Sequence, residues 1–301
     1  MSGKTSRQWL IDAAKLLKDA EVEHPHLVAE IILSKAIKRE RASVIAHADE
    51  LLSDEDEQNA DDFLQKRVSG VPLSYVLEET EFFSLAIRVT PAVLVPEAET
   101  EHLVQAVLDI AASDEFKNVQ ELQIVDIGTG SGCILAAIAV NDARFTGFGV
   151  DISKDALEIA EYNLKKHKII DRFKLVQSDI FASLTSKAEQ NVQKFDFIVS
   201  NPPYIAEYDR ETLRKEVLTQ PKVALFGGSE GTEFTQKLIQ QSVEHIQAGG
   251  YLILEIGQGT YNDIIEIATH IGYVHLNTIN DYTNIERILV FQMQNPLRNK
   301  M

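Results

Sequence analysis

A single cysteine, Cys133, stands in the 301 residues, which excludes an intrachain disulfide and leaves no thiol cluster for a structural metal. The eight histidines are scattered without metal-ligand spacing, so no metal is expected. Positive charge is scarce: 29 Lys and Arg stand against 46 Asp and Glu, for a formal charge of −17. Nucleic-acid backbones are held by clustered Lys and Arg, so this balance argues against direct nucleic-acid binding and suits a basic protein partner better. Apolar runs long enough to span a bilayer are missing, as is the apolar core of a secretion signal, so no membrane association is expected and a cytoplasmic location is. Lys4 and Arg7 precede an amphipathic stretch, but Asp12 and Asp19 within it oppose a transit peptide. Internal repeats and low-complexity segments are also lacking.

What is present begins with helices. Leu10, Ala13, Leu16, Leu17 and Ala20 share one helical face, with Ser6 available as N-cap. Pro25 marks a second start, residues 27–37 read as a second helix, and residues 42–52 as a weaker third. Ser53 with Asp56 resembles a capping box that opens a fourth helix, stopped by Gly70 and Pro72. A small helical domain over residues 1–75 follows, expected to select the substrate. Residues 76–96 read as a β-hairpin linker, EFFSLAIRV pairing with AVLV across Thr90-Pro91. From residue 97 a helix opens with acidic residues in its first turn, favoured by the helix dipole.

From Leu122 buried strands alternate with helices, the pattern of an open, mostly parallel sheet covered on both faces. Strands are expected at 122–127, 146–150, 173–177, 195–200 and 251–256, and helices at 133–140, 154–166, 233–246 and 261–271. Residues 273–278 and 287–293 lie too close together for a helical crossover and are expected to pair antiparallel.

The chemistry gathers at strand ends. Gly128-Thr129-Gly130-Ser131-Gly132 follows the first strand, where glycines let a ligand approach the backbone and the next helix offers unpaired N–H groups. The run departs from G-x-G-x-x-G because Cys133 occupies the last glycine position, which disfavours a pyrophosphate ligand. Asp151 ends the second strand, where a carboxylate either accepts both hydroxyls of a ribose or caps a helix. After the third strand, Asp179 and Ile180 offer an acceptor and an apolar surface to a base, or simply form a polar loop. The fourth strand stops at Asn201-Pro202-Pro203-Tyr204. The prolines restrict the loop and donate no N–H, leaving the Asn201 side-chain oxygen and the Asn201 and Pro202 carbonyls as acceptors beside an aromatic ring. Such a loop suits a planar NH2 group, or merely ends a strand.

With DIGTGSG, the strand-end Asp151, QSD and IVSNPPYI in place, the sequence resembles class I S-adenosylmethionine-dependent methyltransferases that modify planar amino nitrogens. The helical N-terminal domain and the segments GVPLSYVLEETEFFSLAIRVTPAVLVPEAETE, PKVALFGGSEGTEF and GGYLILEIGQG narrow this to a resemblance to the HemK/PrmC protein-glutamine N5-methyltransferases. The resemblance implies a Rossmann-like sheet of seven strands with an antiparallel last strand over residues 97–301. It implies methylation of the Gly-Gly-Gln glutamine of class I peptide chain release factors, by a monomer. It also implies that Gly128 to Gly132 wrap the methionine part of the cofactor, that Asp151 holds its ribose, and that Asn201, Pro202, Pro203 and Tyr204 hold the substrate glutamine.

Three positions depart from that family's pattern. Glu97 stands where Arg is usual, Glu78 where Gly follows Leu, and Ile180 where an aromatic residue often covers adenine. Two other readings compete: a methyltransferase for an exocyclic amine of adenine or guanine, which the acidic charge opposes, and a non-catalytic cofactor-binding adaptor whose site Glu97 has spoiled.

Overall fold

The computed structural model describes residues 3–184 and 192–294. Two compact units emerge, one from the residues up to Glu79 together with Arg214–Thr219, the other from the rest.

The first unit is helical. Helix α1 (Ser6–Asp19) is capped by Thr5, whose hydroxyl accepts from Gln8 N at 3.2 Å. The expected cap, Ser6, is the first helical residue instead, and its own N–H goes to the Glu50 carbonyl at 3.0 Å. Trp9, Ala13, Ala14 and Leu17 of α1 are buried against α2 (Pro25–Ile37), whereas Leu16 is exposed. Helix α3 spans only Arg41–Ala46. In α4 (Asp54–Val68) Ser53 is the N-cap: its hydroxyl accepts from Asp56 N at 3.1 Å and donates to Asp56 Oδ2 at 2.7 Å, so the Asp56 carboxylate meets the Ser53 hydroxyl rather than the backbone N–H of a full capping box. Asp54 to Glu57 occupy its first turn and Lys66 and Arg67 its last, both favoured by the helix dipole. Helix α5 (Leu73–Leu77) ends at Glu78 with φ 55°. The Glu78 departure noted above thus falls on a left-handed C-cap, a position that favours glycine.

The hairpin is tighter than expected. Strands β1 (Glu79–Phe82) and β2 (Leu85–Arg88) pair directly across Phe83 and Ser84. Both turn residues take positive φ, 48° and 62°, the twist that a two-residue hairpin turn requires. The AVLV segment is therefore not its second strand.

In the second unit a 3₁₀ turn (Ala98–Thr100) leads into α6 (Glu101–Ala111). Then follow β3 (Leu122–Ile127), α7 (Cys133–Asn141), β4 (Phe145–Asp151), α8 (Lys154–Lys166), β5 (Phe173–Gln177) and β6 (Phe195–Ser200). Short β7 (Ile205–Ala206), α9 (Lys215–Leu218), α10 (Lys222–Leu225) and β8 (Phe226–Gly228) precede α11 (Glu233–Ser242), β9 (Ile246–Glu255), α12 (Tyr261–His270), β10 (Tyr273–Asn280) and β11 (Glu286–Met293). Of these, α9 belongs to the first unit, where Glu216 pairs with Arg67 at 2.7 Å.

Seven strands form one sheet in the order β10-β11-β9-β6-β3-β4-β5. Strands β3, β4, β5, β6 and β9 pair in parallel, and β11, the last in sequence, runs antiparallel to both β9 and β10. The central strands are buried on both faces, which is why they read as continuous apolar runs. Packing is close enough that a Cβ on Gly147 would lie 1.8 Å from the Ile124 carbonyl oxygen, so β4 needs glycine there. From β3 the chain proceeds one way to β4 and β5, then returns to β6 and β9 on the other side. That reversal opens a crevice at the carboxyl ends of β3 and β6, the position where open α/β sheets bind ligands.

Candidate active site

A cavity of about 280 Å³ occupies that crevice. Every residue from Gly128 to Ser131 lines it, as do Asp151, Asp179, Ile180, Asn201 and Pro203. Residues predicted at the ends of four strands that are distant in sequence therefore meet at one place. Gly132 lies just behind: a Cβ there would press on Ala160 at 3.2 Å, so its role is helix packing. By contrast a Cβ on Gly128 would meet nothing within 4 Å, and Gly128 and Gly130 take φ of 74° and 53°. Their missing side chains leave room for a ligand to approach the backbone.

The turn is fastened from three sides. Asp151 Oδ2 accepts from Gly130 N and Oδ1 from Ser153 N, both at 2.9 Å. Ser153, not Asp151, caps α8. Burial holds the Asp151 carboxyl above its ordinary pKa despite these donors. Asn163 Nδ2 donates to the Ser131 carbonyl and the Arg88 carbonyl, each at 2.9 Å, tying α8 to the turn and to the hairpin. Thr129 Oγ1 donates to Asp126 Oδ2 at 2.7 Å. Asp126 is fully buried, its Oδ1 lacks a partner among the described residues, and desolvation pushes its pKa up to about 7.

Asp179 Oδ2 takes Lys237 Nζ at 2.6 Å, so only part of that carboxylate is open to a base. Ile180 is 2% exposed and holds φ 51°. A β-branched residue in the left-handed region is a strained conformation, and here it presents an apolar wall to the cavity.

The proline loop divides its duties. Asn201 Nδ2 donates to Thr100 Oγ1 at 3.0 Å, while Asn201 Oδ1 is buried without a partner among the described residues. Pro202 is buried, and neither it nor Tyr204 lines the cavity. Tyr204 points its hydroxyl at Glu97 Oε2 and Glu255 Oε1, 3.4 Å from each. Desolvation and those two carboxylates hold its phenol well above the ordinary pKa. Glu255 is fully buried and accepts from Thr100 Oγ1 at 2.6 Å; desolvation first, then Glu97, pushes it up to about 8. Arg287, paired with Asp281 at 3.0 Å, opposes that rise and the smaller one at Glu97.

Close backbone approach explains three glycines around the loop. A Cβ on Gly227 would sit 2.3 Å from the Pro203 carbonyl oxygen, on Gly231 2.4 Å from that of Tyr204, and on Gly257 3.2 Å from the Tyr204 ring. Thr100, Asp126 and Glu255 had escaped residue-by-residue reading. The available signal for Glu255 was a carboxylate ending an apolar run, YLILE.

A sheet with this order, opening its cavity at the reversal, is that of a class I S-adenosylmethionine-dependent methyltransferase. The same fold occurs in the hMettl16 catalytic domain solved with MAT2A 3′UTR hairpin 1, at 14% identity and TM-score 0.54 over 84% of this chain and 85% of that one. Residues 8–77 match the PrmC N-terminal domain and residues 118–255 a methyltransferase domain. The release factor glutamine methyltransferase of Koribacter versatilis is 32% identical over 95% of this chain and 98% of its own length; that of Rhodopirellula baltica is 36% identical over 90% of each. The chain belongs to the release factor glutamine methyltransferase family.

Proposed function

We infer that the chain methylates the side-chain N5 of the glutamine in the Gly-Gly-Gln motif of class I peptide chain release factors. One observation carries the reading: Asn201, on the cavity wall, holds a buried carbonyl oxygen with no protein donor. A buried acceptor of this kind costs stability unless a ligand N–H satisfies it.

S-Adenosylmethionine, when bound, supplies an electrophilic sulfonium methyl and leaves as S-adenosylhomocysteine. The cavity fits it: Gly128 and Gly130 leave space along the backbone, Asp151 offers acceptor capacity for ribose hydroxyls, and Ile180 walls the base side with Asp179 beside it. A primary amide nitrogen is a weak nucleophile because its lone pair is delocalised into the carbonyl. Asn201 Oδ1, on the cavity wall, accepts one of its N–H bonds and turns the lone pair towards the methyl donor; the Pro202 carbonyl, expected to accept the other, belongs to a residue outside the cavity lining. An acceptor so placed binds the positive charge that develops on the nitrogen more tightly than it binds the neutral amide. One N–H proton is then lost to solvent. In well-oriented reactions alignment of this kind lowers a barrier by up to about 7–11 kcal/mol. Pro203 and Tyr204 hold the loop in this form, Tyr204 from behind through Glu97 and Glu255.

The same reading takes the chain as a cytoplasmic monomer that engages neither nucleic acid nor membrane; the charge of −17 supports a basic protein partner. The test is transfer of labelled methyl from S-adenosylmethionine to a purified release factor. Label that disappears when the Gly-Gly-Gln glutamine is changed to alanine supports the reading. Label that persists in that control, or none at all, overturns it.

A further inference from the structure

We propose that Glu255, acting through Thr100, is the positioning residue that decides which end of the Asn201 amide meets the substrate. The inference rests on the function proposed above and deepens it. An asparagine amide has a donor end and an acceptor end of nearly the same shape, so packing alone does not choose between them. The hydrogen bonds do. Thr100 Oγ1 has one hydrogen, and Glu255 Oε2 takes it at 2.6 Å. The Thr100 oxygen is then left as an acceptor, and Asn201 must turn its NH2 towards it, at 3.0 Å. Only this arrangement leaves Asn201 Oδ1 without a protein partner, as an acceptor for the N–H of a substrate amide.

The far side of Glu255 keeps Oε2 in that role. The Tyr204 hydroxyl lies 3.4 Å from Glu255 Oε1 and 3.4 Å from Glu97 Oε2 and has a single hydrogen to give. That hydrogen is on the Oε1 side of Glu255, and Oε2 is the oxygen that Thr100 reaches. Thr100 lies 155 residues from Glu255 and 101 from Asn201, so the fold alone assembles the relay. Without it the amide is free to present its NH2 to the substrate, a donor facing a donor.

The test uses the full chain with Thr100→Val, Thr100→Ser, Glu255→Leu and the Val/Leu double variant. Release-factor methylation gives kcat and KM, calorimetry gives S-adenosylmethionine affinity, and NMR follows the Asn201 side-chain NH2, assigned by its loss in Asn201→Asp. Thr100→Val is expected to lower kcat about 100-fold, the scale of a lost oriented transition-state hydrogen bond, with cofactor affinity unchanged. Thr100→Ser restores kcat, and the double variant is no worse than the poorer single, as residues acting in one chain require. The Asn201 NH2 is exchange-protected in the wild type and in Thr100→Ser, and unprotected in Thr100→Val. Wild-type kcat in Thr100→Val, a double variant showing the product of the single losses, or unchanged NH2 protection in Thr100→Val overturns the relay. Should Glu255→Leu fail to fold, the two Thr100 variants decide alone. A wild type that does not label the release factor defeats the functional reading instead, and the NMR comparison still tests the relay.

Discussion

Asp151 Oδ2 accepts the backbone N–H of Gly130 at 2.9 Å, so the residue expected to hold the cofactor's ribose also holds the loop expected to wrap its methionine end. Removing the carboxylate therefore strikes both. A charge-assisted hydrogen bond contributes about 1.5–3 kcal/mol, so Asp151→Ala is expected to weaken S-adenosylmethionine binding by about 10- to 100-fold in calorimetry. An unchanged affinity would show that the turn is held without Asp151.

Asn201→Ala separates chemistry from binding. The side chain lines the cavity, but its buried oxygen faces no donor of its own. Turnover is expected to fall on the order of 100-fold or more while cofactor affinity changes little. Equal losses in both would assign Asn201 to cofactor binding.

Much of this site was legible in the sequence, and the limits have physical causes. The strands at 122–127 and 195–200 have the expected bounds because they are buried on both faces and punctuated by Gly or Pro; the edge strand at 173–177 has them too, although Lys174 and Gln177 are exposed. The Gly-rich turn, Asp151 and the proline loop could be placed because each follows such a strand. The hairpin could not be bounded correctly. Its turn uses Phe83 and Ser84, whose positive φ is enforced by the surroundings rather than signalled by Asn or Gly. Likewise β9 starts at Ile246, before the expected 251, passing through Gly249 and Gly250 where strand propensity is poor. The pairing of Thr100 with Glu255 leaves no periodicity in either segment, so only the folded chain reveals it.

Glu97 and Glu255 titrate as neighbours. Desolvation is the larger cause of the Glu255 rise to about 8, and repulsion from Glu97 adds to it. In Glu97→Gln that repulsion is gone, so the Glu255 carboxyl is expected to titrate below about 8 when followed by carbon-detected NMR. A Glu255 titration unmoved by Glu97→Gln would mean that the Glu97 charge adds nothing to the rise at Glu255.

Asp126 makes stability depend on pH. An unfolded aspartate titrates at about 3.9, whereas folded Asp126 is pushed up to about 7 by burial. Its contribution is fully present below the unfolded value and lost as pH rises through about 7. Asp126→Asn keeps an acceptor for Thr129 without a charge to bury. The variant is therefore expected to gain Tm relative to the wild type as pH climbs from about 4 to 8. A Tm difference independent of pH would show that Asp126 does not titrate in this window.

The most direct measurement of the central claim is tandem mass spectrometry of a release factor after incubation with the chain and S-adenosylmethionine. A single added methyl on the side chain of the Gly-Gly-Gln glutamine, present with wild type and lost with Asn201→Ala, is the predicted result. A methyl on any other residue, or one that survives Asn201→Ala at wild-type yield, would contradict it.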